Sequence, residues 1–274
     1  MLEFLTQPFP AAWRIPLRGW TNDAIAALVE RHGATFDRLT EAVLHLLVRV
    51  ERLLVALPWW LVILLVAALV FHASGRSWTT AATLASLLFL IGTFGLWASA
   101  MTTLAIMLVA TAFTIVLGIP IGIAMARSDR LKRLMRPLLD GMQTMPSFVY
   151  LVPVVMFFGL GNVAAIIATF VYAVPPIIRL TDLGLRLVDA EVIEAAAAFG
   201  ASERQTLAWV RLPLALPTIM AGVNQTIMMS LAMVVIASVG SAPGLGVLVL
   251  RGIRNLELGT GLVAGLGIVL LAIM

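Results

Sequence analysis

The chain has 274 residues, 61% of them hydrophobic and only 12% charged, with a mean hydropathy of +1.05. A soluble globule carries roughly 25% charged residues, so this composition is that of an integral membrane protein. It contains no cysteine, which removes disulfides, thiolate metal sites and cysteine nucleophiles. His32, His45 and His72 are scattered without ligand spacing, so neither a metal nor a cofactor is implied. The net charge of +4 sits in short loops between apolar runs, where it orients a protein in the bilayer and does not suit nucleic acid.

The chain opens with a polar tail, Met1 to Trp20, in which Pro8, Pro10 and Pro16 break regular structure. It is not a signal peptide, because the first long apolar run starts only near Leu53. Thr21-Asn22-Asp23 is expected to cap a short helix that Gly33 ends. From Phe36, apolar positions 36, 39, 43, 46, 50, 53 and 57 recur in steps of three and four, predicting a second, amphipathic helix. It would lie on the membrane or serve as a packing scaffold; a coiled-coil seam would need more length.

Leu53 to Phe71 is 19 residues, about 28 Å as a helix, and is read as the first span. Ala81 to Ala126 runs 46 residues without a charge, which predicts spans two and three with a reversal near Trp97-Ala98-Ser99. In the third, Gly118-Ile119-Pro120-Ile121-Gly122 offers a small-residue contact face and a kink. Arg127 to Arg136 carries five positive charges against one negative, which places it in the cytoplasm.

Leu138 to Leu160 and Val163 to Ile178 are read as spans four and five, which puts the loop 179–217 in the cytoplasm too. Thr218 to Val239 is the sixth span, Gly240 to Leu258 an outer segment with a short re-entrant helix, and Gly259 to Met274 the seventh. Counting back places residues 1 to 50 outside and Arg133 and Arg204 inside. A chain ending at Met274 within an apolar run leads us to expect a short cytoplasmic tail beyond it. Asp140 is the one carboxylate in a predicted span. It reads either as a proton relay or, being near a helix start, as an interfacial group favoured by the dipole and by Arg133 or Arg136.

The loop holds the most informative stretch: Glu194-Ala195-Ala196, three residues, Gly200, nine residues, then Val210-Arg211-Leu212-Pro213. Alanines 195 to 198 make a helix with almost no side-chain bulk, so a partner can approach its backbone closely. Gly200 suits a left-handed C-cap, Ser202 can restart a second helix, and Pro213 and Pro217 stop or kink the chain as it re-enters the apolar phase. An isolated E-A-A triplet would be an ordinary alanine-rich loop; six defined positions at fixed spacing favour a docking element. Gln143, Asn162, Asn224 and Gln225 are neutral polar groups that can bridge helices, with Gln143, Asn224 and Gln225 as candidate pathway residues.

This loop resembles the cytoplasmic signature of the membrane subunits of binding-protein-dependent ABC importers. Met142 to Pro153, Pro175 to Leu180 and Leu212 to Thr226 narrow the resemblance to permease subunits of glycine betaine/proline-type uptake systems, from about Met101 onward. The resemblance implies an all-α membrane fold of about seven transmembrane helices with a type I importer core at 98–274. Accessory spans at 53–97 and an extracytoplasmic tail with its amphipathic helix at 1–52 would precede it. It implies ATPase coupling through Glu194, Ala195, Ala196, Gly200, Leu212 and Pro213. The implied partners are a pair of ATP-binding cassette subunits, an extracytoplasmic substrate-binding protein, a second permease copy and the lipid of the cell membrane, with a compatible solute such as glycine betaine, proline or a related quaternary amine as cargo.

The residues themselves agree that the chain is not an enzyme. A phosphate-cradling loop needs G-x-x-x-x-G-K-[S/T], and the only lysine, Lys132, follows Leu131. No aromatic cluster spaced as a quaternary-ammonium cage stands out either. Three rivals remain: an ion-coupled secondary transporter, which would need a buried ionisable pair or discontinuous helices; an ABC permease for another small solute; and a membrane scaffold or sensor, which would not need the signature loop.

Overall fold

The computed structural model describes residues 16–238 and 242–273. Within them every regular element is a helix: α1 (Leu17–Ala56), α2 (Trp59–Ala73), α3 (Trp78–Thr93), α4 (Trp97–Arg127), α5 (Asp129–Thr144), α6 (Ser147–Phe158), α7 (Asn162–Arg186), α8 (Ala190–Ala198), α9 (Glu203–Ala237), α10 (Leu245–Arg254) and α11 (Leu258–Ile273). Three of these, α4, α7 and α9, are long and apolar enough singly to cross a membrane. Two bent pairs, α1 with α2 and α5 with α6, qualify when each is taken together, and α3 and α11 are shorter apolar helices. These are the seven apolar segments expected from the sequence.

The centre is the trio α4, α7 and α9, and small residues let their backbones meet. A Cβ added at Gly118 would stand 2.4 Å from Ile177 Cγ2, and one at Gly122 would stand 2.5 Å from Thr181 Cβ, so the expected contact face of α4 is the one pressed on α7. Along the α7–α9 seam, Gly184 of α7 faces Thr218, and Gly222 of α9 faces Ile177 and Leu180. The Thr226 hydroxyl donates to the Ala173 carbonyl across the same seam. α10 is pinned to α4 where the Leu245 N–H donates to Thr103 Oγ1 at 2.9 Å, inside the fold.

Several expectations need correction. No break occurs at Gly33: α1 is a single helix about 60 Å long that starts after Pro16, and Thr21 bonds back to the Leu17 carbonyl from within it. A helical glycine costs about 1 kcal/mol relative to alanine, too little to end a helix whose later turns are packed. The stripe has a different phase. Phe36, Val43, Val50 and Leu57 do face the protein, but the alternate positions are Thr40, Leu47 and Leu54, while Leu39, Leu46 and Leu53 are exposed. Phe36 stacks on Phe157 and meets Phe158 edge-on, so this helix is a scaffold across the core. Pro8 and Pro10 lie outside the described residues.

The first and fourth spans are not continuous. The chain turns by 103° between α1 and α2, where Leu57 is extended ahead of Pro58, and by 102° between α5 and α6, where Met145 is extended ahead of Pro146. Both breaks arise from the clash that drives a residue before proline out of the helical region. The Tyr150 hydroxyl donates to the Met142 carbonyl and closes the second elbow. The reversal between α3 and α4 falls at Phe94-Gly95-Leu96, with Gly95 at φ +70°, just ahead of the predicted Trp97. In the segment expected outside, Gly240 to Leu258, the described residues form the short helix α10; Gly240, Ser241 and Met274 lie outside the described residues.

Candidate coupling site

Local chemistry alone accounts for the shape of the 187–213 region. Asp189 accepts a bond from the Glu191 N–H at 2.9 Å and so caps the start of α8. At the other end Gly200 takes φ +82°, its N–H donates to the Ala197 carbonyl, and the Ala201 N–H donates to the Ala196 carbonyl. That pair of bonds is the Schellman closure, which satisfies carbonyls a helix end otherwise leaves open. Two residues on, Ser202 and Gln205 cap each other's backbone reciprocally and start α9. A nine-residue helix is thus held by caps at both ends, which compensates for its shortness.

Pro213 and Pro217, expected to stop or kink the chain, do not stop α9. Residues Leu207–Arg211 widen into a π-turn in which the Leu212 N–H reaches the Leu207 carbonyl. The widening makes room for the Pro213 ring, which would otherwise clash with the carbonyl four residues back, and the helix continues through Pro217 to Ala237.

The predicted residues divide between two faces. Glu194, Ala195, Gly200 and Pro213 are exposed; Ala196 and Leu212 are half-buried. Val192, Ala195 and Phe199 fall on one exposed face of α8, and Phe199 is 93% exposed. Trp209, 81% exposed, stands on the π-turn beyond it. These two aromatics were missed because the motif does not define their positions, although their spacing from Ala195 and Pro213 was visible. Behind α8 lies a cleft of about 370 Å³ lined by Ile193, Ala197, Arg127 and Arg211 among others.

A second group of residues, also missed, lies beside this loop. Asp182, buried on α7, takes Lys132 Nζ of α5 at 2.8 Å and Arg186 Nε of its own helix at 2.7 Å. Arg186 also pairs with Asp129 at 2.7 Å and donates to the Met125 carbonyl at 2.9 Å. Across the loop, Arg127 stands 3.7 Å from Glu203. Asp182 is therefore a buried carboxylate held by two cations, half-buried Lys132 and exposed Arg186, just beyond the predicted span Val163 to Ile178. The i,i+4 spacing of Asp182 and Arg186 was the available signal. Asp140 is corrected as well: it lies late in α5, far from the helix start, and its partner is Arg179 at 2.6 Å, not Arg133 or Arg136.

Of the candidate pathway residues, Asn224 and Gln225 are neighbours on a long exposed face of α9 that includes Pro213, Pro217 and Ala221. Asn224 lines a largely apolar cavity of about 690 Å³ with Leu54, Met107 and Leu231. Gln143 is exposed on α5, just ahead of the Met145–Pro146 break, and is not part of that face. Among the described residues no group of three or more acidic, histidine or cysteine side chains could hold a metal.

The model of the family described as binding-protein-dependent transport system inner membrane component matches residues 118–274. The glycine betaine/proline betaine transport system permease protein ProW of Escherichia coli (strain K12) is 50% identical over 260 residues, which is 95% of this chain and 73% of that protein. The glycine betaine transport system permease protein OpuAB of Bacillus subtilis (strain 168) is 39% identical over 260 residues, covering 95% and 92%. Among solved structures, an inward-facing MetNI methionine ABC transporter superposes with a TM-score of 0.53 at 27% identity, over 62% of this chain and 85% of that one. The fold is thus the type I ABC-importer permease fold, and the protein is multi-pass in the membrane. On the extent of these matches, the chain belongs to the inner membrane components of binding-protein-dependent transport systems.

Proposed function

We propose that the chain is the permease subunit of an ATP-driven importer for a compatible solute of the glycine betaine class. The cargo is inferred from the relatives, whose names specify glycine betaine with proline betaine, glycine betaine with carnitine, or glycine betaine alone. The division of labour is inferred from the chain. It has no phosphate-cradling loop, so ATP is hydrolysed on a separate pair of cassette subunits, and an outer binding protein delivers the solute. The long exposed face of α9, with Asn224 and Gln225, is assigned to the seam with a second permease copy and to the solute path between the two.

The observation that carries this reading is the capped, wholly surface-lying helix α8 with its apolar face of Val192, Ala195 and Phe199. A helix so short is marginal by itself, and one that buries no residue of its own gains stability by entering a partner's groove. Glu194 offers a charged contact at the rim, and Gly200 aims the helix. In this topology the α4–α5 elbow and α8 face the cytoplasm, and residues 1 to 50 lie outside.

The test is uptake of labelled glycine betaine by proteoliposomes holding permease, ATPase and binding protein, with retention of the ATPase on tagged permease measured in parallel. Ala196→Trp is expected to leave permease abundance unchanged while abolishing both retention and uptake. Normal uptake at normal abundance removes the docking role from α8. For topology, a cysteine introduced at position 20 should react with an impermeant outer reagent and one at position 133 should not; the opposite pattern inverts the assignment.

A further inference from the structure

We propose that Asp182 and Arg186 are positioning residues for energy coupling: they form an ionic junction that ties the α4–α5 elbow to the motion of α8. The inference rests on the docking role proposed for α8.

The covalent chain connects α8 directly to α7, through Leu187 to Asp189, and to α9, through Phe199 to Ser202. The elbow at Arg127 to Asp129 has no such connection, being separated from α8 by more than fifty residues. Yet it is bound to both ends of the α8 loop. On the entry side, Arg186 holds the Met125 carbonyl at the last turn of α4 and Asp129 at the first turn of α5. Asp182, one turn earlier, holds Lys132. On the exit side, Arg127 reaches Glu203.

Three features favour transmission over simple stapling. First, Asp182 keeps only 7% of its side-chain surface, and a carboxylate removed that far from water is costly to leave without its partners. A junction of this kind holds or breaks; it does not stretch. Second, Arg186 bonds to three elements at once through a rigid planar fork, which fixes direction as well as distance. Third, the neighbouring turn of α4 cannot slide, because Gly122 is pressed against Thr181 and the Ile178 carbonyl. Displacement of the α7 end by α8 therefore carries the elbow, and α4 with it.

The complete complex in proteoliposomes gives the readout as ATP hydrolysed per solute imported. Arg186→Gln should leave the ATPase associated while raising that ratio about tenfold, within the usual range for coupling between sites. Arg186→Lys, which keeps the charge without the fork, should recover only part of the coupling. Asp129 is 78% exposed in its side chain, so Asp129→Asn should leave the fold intact and raise the ratio more modestly. If Arg186→Gln fails to accumulate, Asp129→Asn decides alone. Uptake and hydrolysis falling in equal proportion, or neither changing, overturns the junction. Failure of the docking role is a separate result, seen as undisturbed ATPase retention by Ala196→Trp.

Discussion

Helices α7 and α8 are three residues apart in sequence and opposite in character. In α7, sixteen of 25 residues are buried, including Pro175 and Pro176 in mid-helix, and glycines of both neighbours press on it. In α8 none of nine residues is buried, and the helix is held by Asp189 at one end and the Gly200 turn at the other. The first is specified by what touches it; the second is specified by its own ends. Substitutions should therefore hurt α7 through volume and α8 through caps and surface, a contrast that individual variants can break or sharpen.

The largest effect should come from Gly122→Leu. An added Cβ alone would fall 2.5 Å from Thr181 and 2.8 Å from the Ile178 carbonyl, and backbone cannot yield as a flexible side chain does. Overpacking costs about 1–3 kcal/mol and sometimes more, so the permease should lose abundance and thermal stability in detergent. A normal melting temperature would show that the α4–α7 seam can open. Next comes Gly200→Val: nothing crowds the site, but a β-branched residue at φ +82° costs about 1–2 kcal/mol. Abundance should hold while ATPase retention fails, since the strain falls on the turn that aims α8.

Phe199→Ala sharpens the contrast, because 93% exposure leaves it almost no role in the isolated subunit. Permease stability should not move, whereas affinity for the ATPase should fall by about 2 kcal/mol if the ring is a buried anchor in the complex; titration of purified ATPase onto immobilised permease measures it. Asp189→Ala removes one cap and should weaken α8 by about 1 kcal/mol, visible as partial loss of retention and faster hydrogen exchange in residues 190–198. The smallest change is Gly33→Ala, a site with open space around it and an ordinary helical backbone, which should stabilise α1 by about 0.5–1 kcal/mol in a chemical melt.

The same contrast explains how much was legible in the sequence. The C-terminal end of α8 is written in local chemistry, so the alanine run, Gly200 and Ser202 marked where the helix stops and the next one starts. Hydropathy placed the seven apolar segments but passed over Pro58 and Pro146, which turn the chain sharply without lowering an averaged hydrophobicity. The face of α1 could not be phased from Leu39, Leu46 and Leu53, since lipid accepts leucine as readily as a protein interior does. Arg186 and Asp182 were hidden for another reason: Met125 and Asp129 meet Arg186, and Lys132 meets Asp182, only because α4 and α7 press together through glycine.

The π-turn at Leu207–Arg211 bears on how this segment can change in length. A π-turn stores one residue beyond the number an α-helix needs, without rotating the turns on its C-terminal side relative to those on its N-terminal side. The spacing from Gly200 to Pro213 therefore contains a spare position. Removing one residue within 207–211 would leave Ala215, Ile219 and Gly222 facing α7 but close the widened turn that makes room for the Pro213 ring, whereas deleting Leu216 would swing Ile219 and Gly222 away by a full side-chain step of about 100°. A single deletion in the π-turn, Leu207–Arg211, should accordingly be tolerated in permease abundance once Pro213 is replaced by alanine, whereas deletion of Leu216 should not be.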